Sequence, residues 1–307
     1  MASTNVIHTN LQITEILPNF IERFARKMLP INAFSSVIQD VALKGENTVQ
    51  VPFYGLDGAV ATSRNPGDNY FDLATDSDTD TREIVVDKQE VVALSWTVEE
   101  KNRNPVFDPV KLGQLKADAL AVAVSRAIFA DVVPATFTGT TLPALTLANF
   151  DYDDVSDLAV LCDTDEWDEE DRSIILNAAF YGGLRKDVRF TDASASGSTA
   201  TLRSGEVGEA AGFSTFKSNG VRDNGVNLVG LAVHRSAHLT AFAPLERSEA
   251  INSRLIDRQV VTDEASGLTL EFMHMVDEKT MQEVQVVQVD YGHAKGDEEA
   301  IKPLVKA

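Results

Sequence analysis

The longest amphipathic pattern in the sequence runs from Phe107 to Val133 and predicts a long helix. Asp108 is of the type that caps helix N-termini, Pro109 suits the first helical position, and Pro134 marks the far end. Polar residues fall on one narrow stripe. The apolar positions around the rest of the circumference are Leu112, Leu115, Leu120, Val122, Val124, Ile128 and Phe129. The pattern therefore predicts a spine helix over 108–133 that neighbouring elements cover on most sides.

Ahead of this helix, residues 1–45 contain one short amphipathic helix pattern, with Asn19 as its cap and Glu22 placed as in a capping box. One face is apolar and the other basic, formed respectively by Phe20, Phe24 and Met28 and by Arg23, Arg26 and Lys27. A basic amphipathic helix can bind membrane, nucleic acid or protein. Because it stands near a chain terminus, we interpret it as an arm that docks on protein.

Two alternating patterns predict strands over 48–53 and 92–98, which can pair as the legs of a hairpin. The segment between them, Leu56–Arg82, is rich in glycine, aspartate and threonine and far longer than ordinary hairpin loops. An isolated hairpin is marginally stable in water. We therefore predict an extended two-stranded arm whose packing partner lies outside its own domain.

Shorter elements follow the spine helix. Some have the helical spacing of apolar residues and others the alternating spacing of strands. The predicted elements are a helix face within the acidic segment 151–171, a buried strand over 173–177, a helix over 178–186, a surface loop over 192–204, a buried strand over 226–233, a helix over 234–242, and strands from Leu268 to Phe272 and from Glu283 to Tyr291. The apolar phase shifts between Val286 and Val287, which indicates a bulge or burial on both faces. The sum of these patterns is an α+β fold.

Composition excludes several classes of function. The 47 acidic and 27 basic residues give a net charge of −20, which repels polyphosphate and anionic lipid and argues against a reader of nucleic acid. The first residues lack the pattern of an export signal, and no apolar stretch is long enough to span a bilayer. The single cysteine, Cys162, fits a small buried residue better than a reactive thiol.

Residues with metal-binding or catalytic chemistry do not form a complete motif. His234 and His238 are four apart on the predicted helix, but zinc needs a third ligand that is not supplied nearby. A second pattern imitates an EF-hand calcium loop, with acidic positions at Asp76, Asp78, Asp80 and Asp87. Thr81 replaces the glycine that such a loop requires, and the acidic segment 151–171 fits a solvated surface better than a metal cage. The sequence thus predicts no catalytic residue, no cofactor and no metal site.

Two segments resemble the major capsid proteins of tailed bacteriophages. In Thr164–Asp187, TDEWDEEDRSIILNAAFYGGLRKD, a turn and Arg172 precede a short strand and then a helix. In Gly205–Val221, GEVGEAAGFSTFKSNGV, the matching positions are Gly205, Gly208, Gly212, Phe213, Phe216, Ser218 and Asn219. The order of elements is also similar to the Hong Kong 97-type capsid fold: arm, extended loop, spine helix, central domain and terminal hairpin.

This resemblance implies a division of the chain and a function. The implied parts are an N-terminal arm (1–45), an extended β-hairpin loop (46–100), a peripheral domain (101–150 and 262–307, with the spine helix) and an axial domain (151–261). The implied function is that of a structural subunit, not an enzyme, which self-assembles into pentamers and hexamers of an icosahedral shell enclosing phage DNA. Such a protein would be assembled in the host cytoplasm and reside in the virion.

The resemblance also implies partners and contact residues. Copies of the chain, a separate scaffolding protein, a portal and a decoration protein are the expected partners, and the enclosed double-stranded DNA would be held without sequence-specific binding. The extended loop would lie over a neighbouring subunit and the arm would reach another. The expected contact residues are Leu56, Tyr70, Phe71 and Leu73 on the loop and Phe20 and Phe24 on the arm. Some relatives crosslink their shells through a lysine on this loop, but 56–81 contains no lysine, so we expect no such crosslink.

Two alternatives stay open. One is an encapsulin-like compartment of the same fold, which would load cargo protein in place of DNA. The other is a metal-dependent hydrolase that uses the acidic segment and the histidines.

The sequence departs from the family's pattern at one place. Capsid proteins of this kind often carry a proline shortly before the arginine, but Trp167 and Asp168 stand there in this sequence, so the resemblance does not define the local turn.

Overall fold

The computed structural model describes residues 6–38, 47–53, 80–97, 109–133, 137, 142–191, 207–222, 224–244, 247–263, 267–277, 279–280 and 282–307. The helices are α1 (Val6–Phe34), α2 (Pro109–Phe129), α3 (Tyr152–Thr164), α4 (Ala178–Leu184), α5 (Val188–Thr191) and α6 (Glu249–Asn252). The strands are β1 (Ser35–Ile38), β2 (Thr48–Phe53), β3 (Asp80–Thr97), β4 (Arg172–Leu176), β5 (Glu209–Ala210), β6 (Phe213–Lys217), β7 (Leu228–His234), β8 (His238–Phe242), β9 (Asp257–Thr262), β10 (Thr269–Asp277), β11 (Gln282–Lys295) and β12 (Ile301–Val305). The predicted α+β class is confirmed.

The larger sheet is organised by β11. It pairs antiparallel with β10, with β3 and, through its last residues, with β8. The path β1-β8-β11-β10-β9 is extended by β3 and β2, and β1 joins β8 in parallel. Strands from the start, middle and end of the chain therefore meet in one seven-stranded sheet.

The smaller sheet has the order β12-β7-β4-β6-β5. Its centre is β4, all five residues of which are buried, with β7 antiparallel on one side and β6 parallel on the other. The buried run Ser173–Leu176 confirms the predicted strand, and Asn177 caps α4 by accepting bonds from the N–H groups of Ala179 and Phe180. This sheet positions the features described below.

The N-terminal helix is much longer than predicted, and the cap assigned to Asn19 is wrong. α1 continues through Pro18 and Pro30, with Asn19 inside it. A buried stripe at helical spacing, formed by Phe20, Phe24, Met28 and Ile31, packs α1 on α2 and the larger sheet. Burial of that stripe outweighs the backbone hydrogen bonds that proline cannot make.

α2 confirms the spine helix, beginning at Pro109 and ending four residues before the predicted end. Its second half is covered, with Leu120 and Phe129 buried. In the first half, however, Leu112 and Leu115 are 38% and 63% exposed, so the prediction that the helix is covered on most sides is wrong there. Asp118, from the polar stripe, accepts two bonds from Arg23 of α1, at 2.8 and 2.5 Å.

The predicted hairpin exists but pairs in a different register. β3 begins at Asp80, twelve residues before the predicted strand, and β2 pairs with its first part, Thr48 opposite Val85 and Phe53 opposite Asp80. The rest of β3, including 92–97, pairs with β11. The alternation of buried Ile84 and Val86 with exposed residues marks this stretch as strand. Residues 54–79 of the predicted loop lie outside the described residues, as does the predicted loop at 192–204.

The helix predicted over 234–242 is wrong. The chain makes a short 3₁₀ turn at Arg235–Ala237 and then forms β8. Every residue of β8 is buried, so the apolar and polar alternation that marks a strand is missing. β11 shows the predicted two-sided burial from Val287 to Gly292, and its irregularity lies at Tyr291/Gly292, opposite β3.

Apolar residues form two large cores. One lies between α1, α2 and the seven-stranded sheet, and the other joins α3 and α4 to the five-stranded sheet. The predicted domain bounds stay a prediction. Sheet pairing by itself places β8 and β9 in the larger sheet and β12 in the smaller one.

Candidate functional site

Acidic and histidine side chains do not converge on a metal in the part of the chain that the structure describes. No group of three histidine, cysteine, aspartate or glutamate residues there could hold an ion. His234 turns onto its own 3₁₀ segment and accepts a bond from the Ser236 N–H at 3.3 Å, whereas His238 is buried. Of the EF-hand-like positions, Asp76 and Asp78 lie outside the described residues and Asp87 is exposed on β3.

His238 belongs to a buried ring stack. Its imidazole lies 4.7 Å from the Phe34 ring and 5.3 Å from the His293 ring, measured between centroids, and its Nδ1 is 3.2 Å from the hydroxyl of Ser35. Burial lowers the pKa of His238 to about 3, helped by His293 and Lys88. The stack therefore holds a neutral imidazole that links β8 to the α1–β1 junction and β11.

Cys162 is buried in the core under α3, which confirms its prediction as a small buried residue. Burial raises the pKa of its thiol to about 12. The nucleophilic thiolate is therefore scarce at neutral pH.

The chain between α3 and β4 forms what we call the acidic turn, residues 165–171. Six of its seven residues are acidic and all six are exposed, whereas Trp167 is buried. Arg172 donates to the carbonyls of Trp167 and Asp168, the latter at 2.6 Å, and to the Asp163 carboxylate at 2.5 Å. Lys302 of β12 donates to Asp165. Two buried cations thus fix the shape of a turn whose outer surface is entirely anionic.

The glycine-rich segment closes the smaller sheet. Gly205 lies outside the described residues, while Gly212 takes a left-handed backbone (φ 82°) between β5 and β6, and Phe213 is buried. Beyond β6, Gly220 lies so close to α2 that a Cβ there would stand 2.8 Å from the Cβ of Ser125. Gly212 and Gly220 therefore permit the tight path of this segment.

A cleft with a volume of about 910 Å³ lies between α1, α4 and β6, and we call it the cationic cleft. Its charged lining residues are Arg26, Lys27, Arg185, Lys217 and Glu209. Apolar side chains form the rest of its wall, among them Leu29, Tyr181 and Phe216. On a chain of net charge −20, this cleft gathers four cations around one carboxylate.

The predicted contact residues divide into two groups. Leu56, Tyr70, Phe71 and Leu73 lie outside the described residues. Phe20 and Phe24 are 0% and 1% exposed in the chain's own core, so they are withdrawn from the set of contacts with a neighbour. Sequence reasoning missed Lys302, Arg185 and Lys217, because their neighbours are brought together only by the tertiary fold.

Of the comparisons with known proteins, the one with solved structures finds similar proteins. No family model matches the sequence, and no curated protein matches it. Among solved structures, the capsid of cyanophage P-SCSP1u has a TM-score of 0.58 at 16% identity, covering 91% of this chain and 88% of that one. A chain of Mycobacterium phage Che8 has a TM-score of 0.54 at 19% identity, covering 85% of both chains. A virus-like particle from Pyrococcus furiosus has a TM-score of 0.53 at 10% identity, covering 94% and 96%.

These matches define the fold. The long α2, the hairpin of β2 and β3, and the two sheets are those of the Hong Kong 97-type capsid fold, as the resemblance predicted. In the described part of the chain, no helix is both long enough and apolar enough to cross a membrane.

Proposed function

We propose that this chain is a major capsid protein, the structural subunit that self-assembles into the pentamers and hexamers of an icosahedral shell around phage DNA. The observation that carries the proposal is the extent of the fold match, 91% of this chain against 88% of a capsid chain. A match over nearly the whole length supports the same use of the whole fold rather than a shared module.

Surface features of the subunit agree with a role in assembly. Leu112 and Leu115 present apolar side chains on the first half of α2, and Leu29 does so on α1. Exposed apolar positions on rigid helices supply area that a neighbouring copy can bury. The net charge of −20 suits a wall that encloses DNA by confinement, without sequence-specific binding.

The finer assignments belong to the same proposal. We keep Leu56, Tyr70, Phe71 and Leu73 as contacts of the extended loop with a neighbouring subunit. The domain division at 46, 101, 151 and 262 follows the resemblance. Scaffolding, portal and decoration proteins are the proposed partners, and the protein would be assembled in the host cytoplasm and reside in the virion without catalytic activity.

The encapsulin-like alternative keeps one supporting observation, the match to the virus-like particle from Pyrococcus furiosus over 94% of this chain. Both alternatives predict a closed shell, but they differ in its content. A phage shell would be filled with DNA, whereas a cargo compartment would contain protein.

The deciding experiment is expression of the chain alone and with the structural proteins encoded beside it, followed by sedimentation and negative-stain microscopy. We expect closed shells of uniform diameter, and nucleic acid inside particles purified from infected cells. Small soluble particles with stoichiometric metal would refute the proposal in favour of the hydrolase. Shells that contain protein cargo without nucleic acid would support the compartment.

A further inference from the structure

The four cations of the cationic cleft differ in their counter-charges: Lys27 attracts Asp118 across to α2, and Glu209 lines the cleft itself. Arg26 is paired with Glu22 on its own helix, at 2.8 Å. Lys27, Arg185 and Lys217 form no ion pair among the described residues, and the last two are exposed at the ends of α4 and β6. Because the rest of the surface is rich in carboxylates, this cleft is a local site of positive potential that favours an anionic occupant.

The acidic turn has the complementary properties. Its backbone is fixed by Arg172, which donates to the carbonyls of Trp167 and Asp168, and by the bond from the Trp167 N–H to the Cys162 carbonyl at 3.0 Å. Lys302 holds the carboxylate of Asp165, and the other carboxylates of the turn are exposed. A fixed segment loses little conformational entropy when it binds. The turn is therefore a rigid anionic projection, unlike an acidic tail that must become ordered.

The acidic turn and the two exposed cations of the cleft lie towards opposite ends of the same pair of strands. The turn leads into β4 at Arg172, while Lys217 ends β6 and α4, with Arg185 at its end, follows the far end of β4. Since β4 and β6 are parallel and in register, Lys217 is separated from the turn by the length of the strands, roughly 15 Å. The apolar wall of the cleft runs along β6 towards the turn, because Glu169 and Asp171 line a neighbouring recess that shares Leu29, Glu209, Ser214 and Phe216 with the cleft.

We propose that the acidic turn of one copy of this chain docks in the cationic cleft of the next copy. Two different surfaces on each copy make a head-to-tail contact, and repetition of such a contact closes into a ring when the rotation permits. The inference rests on the proposed function, because it assigns one contact within the rings of the shell. Duplex DNA is a poorer occupant, since the net charge of the whole chain repels it at long range and the wall of the cleft is partly apolar.

Charge reversal tests this contact, with each partner changed separately. The turn variant is Glu166→Lys with Glu170→Lys, two exposed positions that make no ion pair in the described part of the chain. The cleft variant is Arg185→Glu with Lys217→Glu. Matched controls reverse two exposed charges of each sign elsewhere, Glu249→Lys with Glu299→Lys and Arg222→Glu with Lys306→Glu. Subunit melting is measured for all four, so that folding is separated from association.

The proposal expects each variant alone to need a roughly tenfold higher concentration than wild type for association, measured by sedimentation, while the controls associate normally. A one-to-one mixture of turn and cleft variants should regain one contact per pair of subunits, because the acidic turn of the cleft variant then meets the intact cleft of the turn variant. The turn variant keeps four carboxylates, so its turn still repels the glutamate cleft. A solution of either variant alone, at the same total concentration, should not regain association.

Two results would overturn the proposal. Wild-type association of both variants would remove the contact while leaving the capsid function intact. Normal association of the turn variant alongside failure of the cleft variant would assign the cleft to another anion, and loss of binding to duplex DNA by the cleft variant would identify that anion as DNA. If wild-type protein forms no shell, the capsid proposal fails, but the mixing experiment on concentrated subunits still decides the contact.

Discussion

Lys302 on β12 donates a hydrogen bond to Asp165, which lies 137 residues earlier in the chain, and its ammonium stands 5.2 Å from the centre of the Trp167 ring. The lysine side chain is 0% exposed and the aspartate 29% exposed. Loss of the pair should therefore affect the lysine more than the aspartate. The ammonium of Lys302 is shielded from water, whereas water still reaches the carboxylate of Asp165.

This inequality predicts different costs for removing either partner. Asp165→Asn removes a carboxylate from the buried ammonium of Lys302 and should lower the free energy of unfolding by about 3 kcal/mol. Lys302→Met leaves a carboxylate that water can reach and should cost about 1 kcal/mol. Urea unfolding of the subunit measures both. Equal losses, or a greater loss for the methionine variant, would contradict the assigned burial.

The spine helix provides a matched pair of positions. Leu120 is 1% exposed in the core, whereas Leu115 on the same helix is 63% exposed. Leu120→Asp should reduce the free energy of unfolding by about 4 kcal/mol and with it the soluble yield, because it buries an unpaired charge. Leu115→Asp should change it by less than about 0.5 kcal/mol. Melting of the two variants measures the difference, and similar losses would show that α2 is not covered as described.

The same Leu115 variant has a second use. If the exposed half of α2 contacts a neighbouring copy, a charge there should hinder shell formation while the subunit stays folded. Microscopy of the variant therefore tests whether that face is buried on assembly. Normal shells would exclude it from the contacts.

The buried imidazole of His238 makes stability depend on pH. Its pKa is about 3 in the folded chain and takes the ordinary value of 6.5 when unfolded, so the unfolded state gains the proton first as pH falls. The stabilisation that comes from keeping His238 neutral is fully present above the unfolded pKa of 6.5. It is lost progressively as pH falls from that value towards the folded pKa of about 3. From about pH 7 to about pH 5 the loss attributable to His238 should be about 2 kcal/mol.

His238→Gln supplies the reference for this measurement. It removes the titrating group, so its free energy of unfolding should fall less between the same two pH values than that of the wild type. The pKa of His293 is also lowered, by burial and by Lys88, and its contribution stays in both proteins. Parallel pH dependence of the two proteins would mean that His238 is not held neutral in the fold.

The extended loop tests the proposed division between fold and assembly. β3 begins at Asp80, so the loop that can be removed without shortening the hairpin is 58–79. Replacing it by a short Gly-Ser turn should leave circular dichroism and subunit melting nearly intact, while closed shells are lost in sedimentation and microscopy. Normal shells would reject the loop as a contact between subunits. Global unfolding would instead assign it to the subunit's own core.

Sequence patterns predicted those elements whose signals are local. α2 was predicted from Asp108 and Pro109, and β4 from the short apolar run at 173–177. β8 was mistaken for a helix because burial on both faces removes the alternation that identifies a strand. The first part of β3 was missed because its buried residues, Ile84 and Val86, are interrupted by exposed Val85 within a polar region.

The candidate surfaces were less predictable than the fold. Arg172 was picked out by resemblance, but its bonds to the carbonyls of Trp167 and Asp168 depend on the path of the turn. The acidic segment was predicted as a solvated surface, and its inner carboxylates instead take cations from other elements, including Lys302. Pairings across more than a hundred residues leave no local pattern to detect.

The late position of β11 and β12 constrains how the protein is made. β11 joins β3, β8 and β10, and β12 closes the five-stranded sheet against β7, so both sheets wait for residues 282–305. On the ribosome, β2 can pair with β3, and β4 with β6 and β7, before the end of the chain has been made. The strands β3, β8 and β10 cannot be joined into one sheet until translation passes β11, so until then the growing chain exposes the strand edges that β11 later covers.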